Sequence, residues 1–315
     1  MSASIDVILV AYNGWEMTER CLDHLGGQTV EHRLIVTDNG STDGTADRVL
    51  ERAPDANVVR MEENMPFAVA CNAGVDAGQG DIVVLMNNDV FCRPDFLERL
   101  VAPLEDDPQR GTVVPVLLQP GEQRIDSVGL AADLTLSGFA RMHGRPASEA
   151  SSPWPALMGP AGTAAAYRRT AWREAGGLDE GIFAYMEDFD LALRLRAAGW
   201  GTATALDAVG VHLGSATHGR RSARQRRHGG FGRGYLLRRY GVLRGRAGAR
   251  TAATELIVVV GNALISRDLA ALEGRIEGWR AARDVPRRPP PPPEALDRSI
   301  SFLDSIRLRR EGYAG

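Results

Sequence analysis

IVVLMNNDV, residues 82–90, sets five apolar residues directly against two amides and a carboxylate. A run apolar at every position, rather than every second one, fits a strand covered on both faces, as in a parallel sheet. Towards the N-terminus, β-rich runs lie at 5–11 (IDVILVA), 33–37 (RLIVT) and 56–61. Between and after them, helices are predicted over 15–25, 44–52, 67–77 and 94–104, the second capped by Thr42 or Asp43. Strands alternating with helices predict an α/β protein with a mostly parallel central sheet. Ligands of such sheets bind beyond the carboxyl ends of the strands.

Towards the C-terminus the rhythm changes. A strand is predicted at 111–118, hairpins and a long loop over the Gly/Pro/Ser-rich 120–155, and a strand at 162–168. A helix over 187–198 buries Leu191 and Leu195, and short strands follow at 202–206 and 209–213. Beyond 250 the chain reads as helical, with Leu269, Leu272, Ile276 and Trp279 on one face. The proline run 289–293 reads as a stiff linker. It leads to an amphipathic helix over 294–310 with Leu296, Ile300, Leu303 and Ile306 on one side.

The 315 residues are 44% hydrophobic and 24% charged, which excludes wholesale disorder. Asp6 interrupts the first apolar run and no basic flank precedes it, so no signal peptide is expected. The stretch 256–265 reads as too short to span a bilayer and contains Asn262. Cys21, Cys71 and Cys92 lack C-x-x-C spacing, so neither a disulfide framework nor a cysteine-rich zinc site fits, and a reduced, cytoplasmic protein is expected. The chain contains no lysine. That excludes a P-loop, Schiff-base chemistry and the lysine-bearing signature of sugar-phosphate nucleotidyltransferases.

Candidate chemistry sits at the predicted strand ends. Tyr12 and Asn13 follow the first strand, and Asp38 opens D-N-G-S-T-D-G at 38–44 after the second. Asp38 is suited to accept hydrogen bonds from a ribose or base, although turn formation explains the same residue types. Asn88 and Asp89 follow 82–86, where a carboxylate flanked by amides suits a hard divalent cation holding a diphosphate. Glu187, Asp188 and Asp190 crowd a helix start, and Arg194 stands four residues beyond Asp190. They favour the helix dipole, and crowded carboxylates also raise one another's pKa towards that of a useful general base. His212, in the last short strand, joins the candidates if it faces Asp89.

In this order the motifs resemble the family 2 inverting nucleotide-sugar glycosyltransferases of GT-A fold. The matching stretches are A-Y-N at 11–13, D-N-G-S-T-D-G at 38–44, E-N-M-P-F-A-V-A-C-N-A-G at 63–74, N-N-D-V at 87–90, G-L-D-E at 177–180, E-D-F-D-L-A-L-R-L at 187–195 and V-H-L-G-S at 211–215. Within the family, the chain is most similar to rhamnosyltransferase-like members that build surface polysaccharides. The resemblance implies a Rossmann-like GT-A domain over 1–215, with a nucleotide-binding half (1–110) and an acceptor and catalytic half (111–215). A basic, helical extension over 216–285 and a Pro-rich linker with terminal helix over 286–315 follow. It implies that Tyr12, Asn13, Asp38, Asn64, Asn72, Asn88 and Asp89 line the nucleotide-sugar site. Asp89, with His212, would hold Mg²⁺ or Mn²⁺, and Asp188 would be the general base. The family's D-x-D position reads Asn-Asn-Asp here, so only its last residue is an acid. dTDP-rhamnose is the donor the resemblance favours, ahead of UDP-hexoses, UDP-galactofuranose and GDP-mannose. The acceptor would be a glycan or a lipid-linked sugar.

Charge is unevenly distributed. The stretch 213–250 carries eleven arginines and no acid, against a net −3 for the chain, leaving −14 elsewhere. An anionic membrane is one expected partner of this block, with Leu236, Leu237 and 256–265 seated in the interface or forming a homodimer contact. Nucleic acid is not expected, since no recognition module is present. A dinucleotide oxidoreductase is excluded because the first strand leads into A-Y-N-G-W rather than G-x-G-x-x-G. A catalytically silent nucleotide-sugar or glycan-binding module of the same fold is the competing reading, and the joint presence of Asp89 and Asp188 argues against it.

Overall fold

A strand rich in Ile, Val and Leu opens the domain as β1 (Ile5–Ala11), followed by α1 (Trp15–Gly26), β2 (Arg33–Asp38), α2 (Thr45–Arg52), β3 (Asn57–Arg60), α3 (Phe67–Asp76) and β4 (Ile82–Asn87). Next come β5 (Val90–Cys92), α4 (Phe96–Asp106), β6 (Arg110–Leu118), β7 (Ile125–Ser127), β8 (Leu130–Ala132), β9 (Gly138–Ala140), β10 (Ala164–Arg168) and α5 (Arg169–Ala175). The chain continues through α6 (Glu187–Ala197), β11 (Gly201–His212), α7 (Ala223–Arg239), α8 (Gly248–Ser266), α9 (Ala270–Ala281) and α10 (Phe302–Glu311). The computed structural model describes residues 3–151, 154–214, 222–244 and 247–311. Ser215, Arg220, Arg221 and Arg246 of the motifs above lie outside the described residues.

The central sheet runs β3-β2-β1-β4-β10-β6-β11-β5, with β7 added to β6. Its first four strands are parallel, as the unbroken apolar runs require. β10 then enters antiparallel between β4 and β6. The two short strands expected at 202–213 are one strand, β11, irregular between Thr204 and Val209, which pairs parallel with β6 and antiparallel with β5. β5 and α5 were not expected. The loop-rich 120–155 contributes β7 and the separate β8–β9 pair.

Asp6, which breaks the apolar pattern of β1, is fully buried and answered by Arg169, whose guanidinium also donates to the Val75 and Gly80 carbonyls. A buried carboxylate needs such a partner.

The C-terminal helices correct the sequence reading. In α9 the buried residues are Ala270, Ala271, Gly274 and Gly278, while Leu269 and Ile276 are exposed. α9 lies parallel to α7, and the two meet through glycines. A Cβ on Gly278 would stand 1.9 Å from the Phe231 carbonyl oxygen, and one on Gly234 would stand 2.0 Å from that of Arg275. The terminal helix starts only at Phe302, so Leu296 and Ile300 precede it, and Leu303 is exposed.

The basic block is not the open face its sequence suggested. Arg226 pairs with Asp268, Arg227 with Glu277, Arg233 with Glu255 and Arg239 with Asp179. Leu236 and Leu237 are core residues, so they do not face an interface. α8, by contrast, is long and apolar enough by length and composition to cross a membrane, which the stretch 256–265 alone did not suggest. Its first half is anchored to the body through Thr251, Thr254 and Glu255.

Candidate active site

The strand-end loops of the nucleotide half are tied into one rim. Asn13, at φ 54°, accepts the Thr42 N–H on Oδ1 (2.9 Å), and its own N–H donates to Ser41 Oγ (2.8 Å). Asn39 donates to Asn64 Oδ1 and the Met65 carbonyl, and accepts the Met65 N–H. Gly40 allows this approach: at φ 77°, an added Cβ would stand 2.4 Å from Glu63. Tyr12 is exposed at the rim. Asp38 is buried, with Oδ1 lacking any partner. An unanswered buried carboxylate oxygen at a strand end marks a place for a ligand's donor. Asn13 and Asn64 shape the rim by bonding its loops together.

Asn72 stands apart from this rim. Its amide donates to the Leu178 carbonyl (3.0 Å) and Glu180 Oε1 (2.9 Å), and accepts the Leu178 N–H. Its polar atoms brace the G-L-D-E stretch.

Asn88 and Asp89 form the turn between β4 and β5. Asn88 donates to Thr18 Oγ1 (3.0 Å). Asp89 Oδ2 lies 3.3 Å from His212 Nε2, while Asp89 Oδ1 is buried without a partner. His212 therefore does face Asp89. Burial pulls the imidazole pKa down, but hydrogen bonds to Asp126 and Asp89 outweigh it and push it up to about 9. Without an ion this favours the protonated ring, and an ion ligated by Nε2 would displace the proton held there. Asp126, on β7, lies 2.7 Å from His212 Nδ1. Sequence reading missed Asp126 because it lies in a stretch without periodicity.

Across the sheet edge, α6 begins at two successive non-glycine residues of positive φ, Tyr185 (66°) and Met186 (79°). Such strained turns concentrate at functional sites. This one sets Glu187 and Asp188 in the first turn of α6. Asp188 Oδ2 accepts the Gly162 N–H (2.7 Å) and Oδ1 the Phe189 N–H (2.6 Å). Burial raises the Asp188 pKa, while these backbone bonds lower it in part. Glu187 has only its own backbone N–H in support. Burial first, and the Asp188 charge second, push it up to about 8, and its Oε2 is unpaired. Of the pair, Glu187 is the one pushed further towards holding a proton, while Asp188 has two backbone N–H donors that favour its charged form. The Asn87 N–H bonds the Thr163 carbonyl (2.9 Å), so a short path Asp188–Gly162–Thr163–Asn87 leads to Asp89.

Asp190 and Arg194 are structural. Asp190 is fully buried and accepts from Arg194, Tyr240 and Arg288, which clamps α6 to α7 and to the proline-rich linker. Arg288 also pairs with Asp179 at 2.8 Å. Neither Tyr240 nor Arg288 carries a motif.

A half-parallel sheet with carboxylates gathered at its C-terminal strand edge is an architecture of the GT-A kind. The family model "Glycosyl transferase family 2" matches residues 6–176, and the chain belongs to that family. It is a glycosyltransferase. It is 28% identical over 225 residues to an N-acetylglucosaminyl-diphospho-decaprenol L-rhamnosyltransferase of Mycobacterium tuberculosis (strain CDC 1551 / Oshkosh), covering 64% of this chain and 73% of the relative. The amylovoran biosynthesis glycosyltransferase AmsE of Erwinia amylovora is 24% identical over 191 residues, covering 58% of this chain and 65% of that one. Among solved structures, the fold matches a Pyrobaculum calidifontis mannosyltransferase in complex with GDP-Man and Mn²⁺. That match has a TM-score of 0.53 and 22% identity, covering 91% of this chain and 77% of that one. It also matches GalNAc-T7 with UDP, GalNAc and Mn²⁺ (TM-score 0.59, 13% identity, 90% and 56% covered).

Proposed function

We propose that the chain is an inverting rhamnosyltransferase, moving a sugar from a nucleoside diphosphate donor, dTDP-rhamnose, to a hydroxyl of a lipid-linked glycan at the cytoplasmic face of a membrane. The observation that carries the reading is the buried Asp188 carboxylate, held by the Gly162 and Phe189 N–H groups beside Glu187, one short path from the Asp89–His212 pair. In this reading Tyr12 and Asp38 receive the nucleoside. Asp188 takes the proton from the acceptor hydroxyl as its oxygen attacks the anomeric carbon, and the diphosphate leaves from the opposite face, so the configuration inverts. The backbone N–H groups of Gly162 and Phe189 hold the base still and favour its charged form. The silent-module alternative has no use for such a base.

Asp89 and His212 fit a divalent ion. An orphaned carboxylate oxygen beside an imidazole nitrogen is a usable partial donor set, and the described residues offer no cluster of three His, Cys, Asp or Glu. Phosphate oxygens and waters would complete the shell, as they do for Mg²⁺ and Mn²⁺. Bound there, the ion would neutralise the charge developing on the leaving diphosphate.

The lipid-linked acceptor is supported by the Mycobacterium relative and by α8. Leu256, Val260 and Leu264 lie on one face of that helix and are 66%, 47% and 75% exposed, and Ile265, near its C-terminal end, is 73% exposed. No charge falls between Glu255 and Arg267. A panel of nucleotide-sugars, with and without Mn²⁺, read by thermal shift tests the donor. A metal-dependent shift with dTDP-rhamnose supports it, and a shift only with another donor replaces it.

A further inference from the structure

Asp126 lies behind His212, on the short strand β7. Its neighbour Ile125 enters an apolar core cluster, and so does Val128 just beyond the strand, whereas Asp126 is a carboxylate only 7% exposed. Burying a carboxylate costs several kcal/mol unless it is paired, so a strand needed only for packing would have an apolar residue here. Its partners are two histidines. Oδ2 is 2.7 Å from His212 Nδ1. His143 Nδ1 is 2.7 Å from the Asp126 backbone carbonyl and 3.6 Å from Oδ1.

We propose that Asp126 is a positioning residue for the diphosphate end of the site. A carboxylate oxygen accepts hydrogen bonds, so at 2.7 Å His212 presents its Nδ1–H to Asp126. That fixes the ring plane and the tautomer together, and it leaves Nε2, on the Asp89 side, as the nitrogen that ligates. Carboxylates behind ligating histidines do this generally, and they make the imidazole a stronger donor. His143 in turn steadies the β7 backbone through the Asp126 carbonyl. Asp126 thus holds His212 on its Nδ1 side and Asp89 faces it on the Nε2 side, with His143 bracing Asp126. The inference rests on the reading that Asp89 and His212 hold a divalent ion.

The test is Mn²⁺ binding in the presence of dTDP or UDP, followed through the electron paramagnetic resonance signal of free Mn²⁺. It compares the native protein with Asp126→Ala, Asp126→Asn, His212→Ala and Asp89→Asn, each checked for folding by thermal unfolding. Asp126→Ala is expected to weaken binding by about 10–100-fold. Asp126→Asn, which keeps an acceptor oxygen but not its charge, should lose less, and it carries the test if the alanine variant does not fold. The imidazole ¹⁵N spectrum with Mg²⁺ and dTDP should show a single Nδ1–H tautomer for His212 in the native protein and a mixture in Asp126→Ala, a change that a purely structural role would not produce. Native Mn²⁺ affinity in both Asp126 variants, with affinity lost in His212→Ala, overturns the role of Asp126 and leaves the ion site standing. Unchanged affinity in both His212→Ala and Asp89→Asn removes the ion site itself, and the proposal with it.

Discussion

Gly162 donates its backbone N–H to Asp188 Oδ2 at 2.7 Å, one residue before the carbonyl that receives the Asn87 N–H. Two halves of the chain that are far apart in sequence are joined there, and the bond persists whether residue 188 bears a carboxylate or an amide oxygen. Asp188→Asn should therefore keep the Gly162 bond through its single amide oxygen, give up the one from Phe189, and lose the ability to take a proton. We expect transfer to fall by about 10²–10⁴-fold, the range a general base supplies, with the donor-induced thermal shift unchanged. Near-native turnover in this variant would remove Asp188 as the base.

Glu187 predicts a pH dependence of stability. Its pKa stands at about 8 in the folded chain, against an ordinary Glu value near ~4.3 in the unfolded one. The folded state therefore holds the proton more tightly. The resulting stabilisation is complete below the unfolded value and is lost as pH rises through the folded one. The melting temperature should accordingly fall between pH 5 and 9 through this group. Glu187→Gln, which is neutral throughout, should flatten that part of the profile. Parallel profiles for the two proteins across this range would show that Glu187 does not hold its proton in the fold.

The nucleotide half was legible because each signal there is local. An apolar strand ending in a polar turn predicts both the sheet and its functional edge, which is how Asp38 and Asp89 were found, whereas Asp188 came from carboxylates crowded at a helix start and from the motif order. The helical extension was misread for a physical reason. Hydrophobic periodicity registers large side chains, and α9 meets α7 through Gly274 and Gly278 against Gly230 and Gly234, leaving Leu269 and Ile276 outside. The four-residue glycine spacing in both helices was the available signal. The basic block misled because Asp179, Glu255, Asp268 and Glu277, which neutralise part of it, come from elsewhere in the chain. Asp126 and Arg288 gain their meaning only from partners distant in sequence.

The glycine seam inverts a common rule. Gly→Ala inside a helix ordinarily adds about 1 kcal/mol of stability. At Gly278 the new Cβ would meet the Phe231 carbonyl oxygen at 1.9 Å, and backbone cannot swing aside as a side chain can. Gly278→Ala should destabilise by about 1–3 kcal/mol as the helices are forced apart. Gly261→Ala in α8, with nothing within 4 Å, should stabilise instead. Denaturant unfolding of the pair reads both signs. A stabilised Gly278→Ala would show that α7 and α9 do not touch as described.

The exposed end of α8 predicts a surface that binds membranes. α8 reaches the start of α7 through the Asp268–Arg226 ion pair, and α7 packs on the segment leading to Asp188, where His228 stacks on Phe183 and Gly232 lies against the Tyr185 carbonyl. Its apolar face is therefore tied to the catalytic half. Glu255, at the helix midpoint, is held by Arg233, Arg275 and Arg309, which keep its pKa far below the ordinary value despite burial. Pulling α8 through a bilayer would break that cluster, so the helix should lie in the interface rather than span it. Exposed Arg267 caps its end and suits anionic headgroups. The native chain is expected to float with vesicles containing anionic phosphatidylglycerol. Leu264→Gln with Ile265→Gln should weaken that binding severalfold, leave the melting temperature within about 1 °C because both side chains are exposed, and preserve the donor-induced shift. Failure of the native protein to float at low salt, together with a concentration-dependent dimer that the same two substitutions abolish, would assign the face to a second copy of the chain instead.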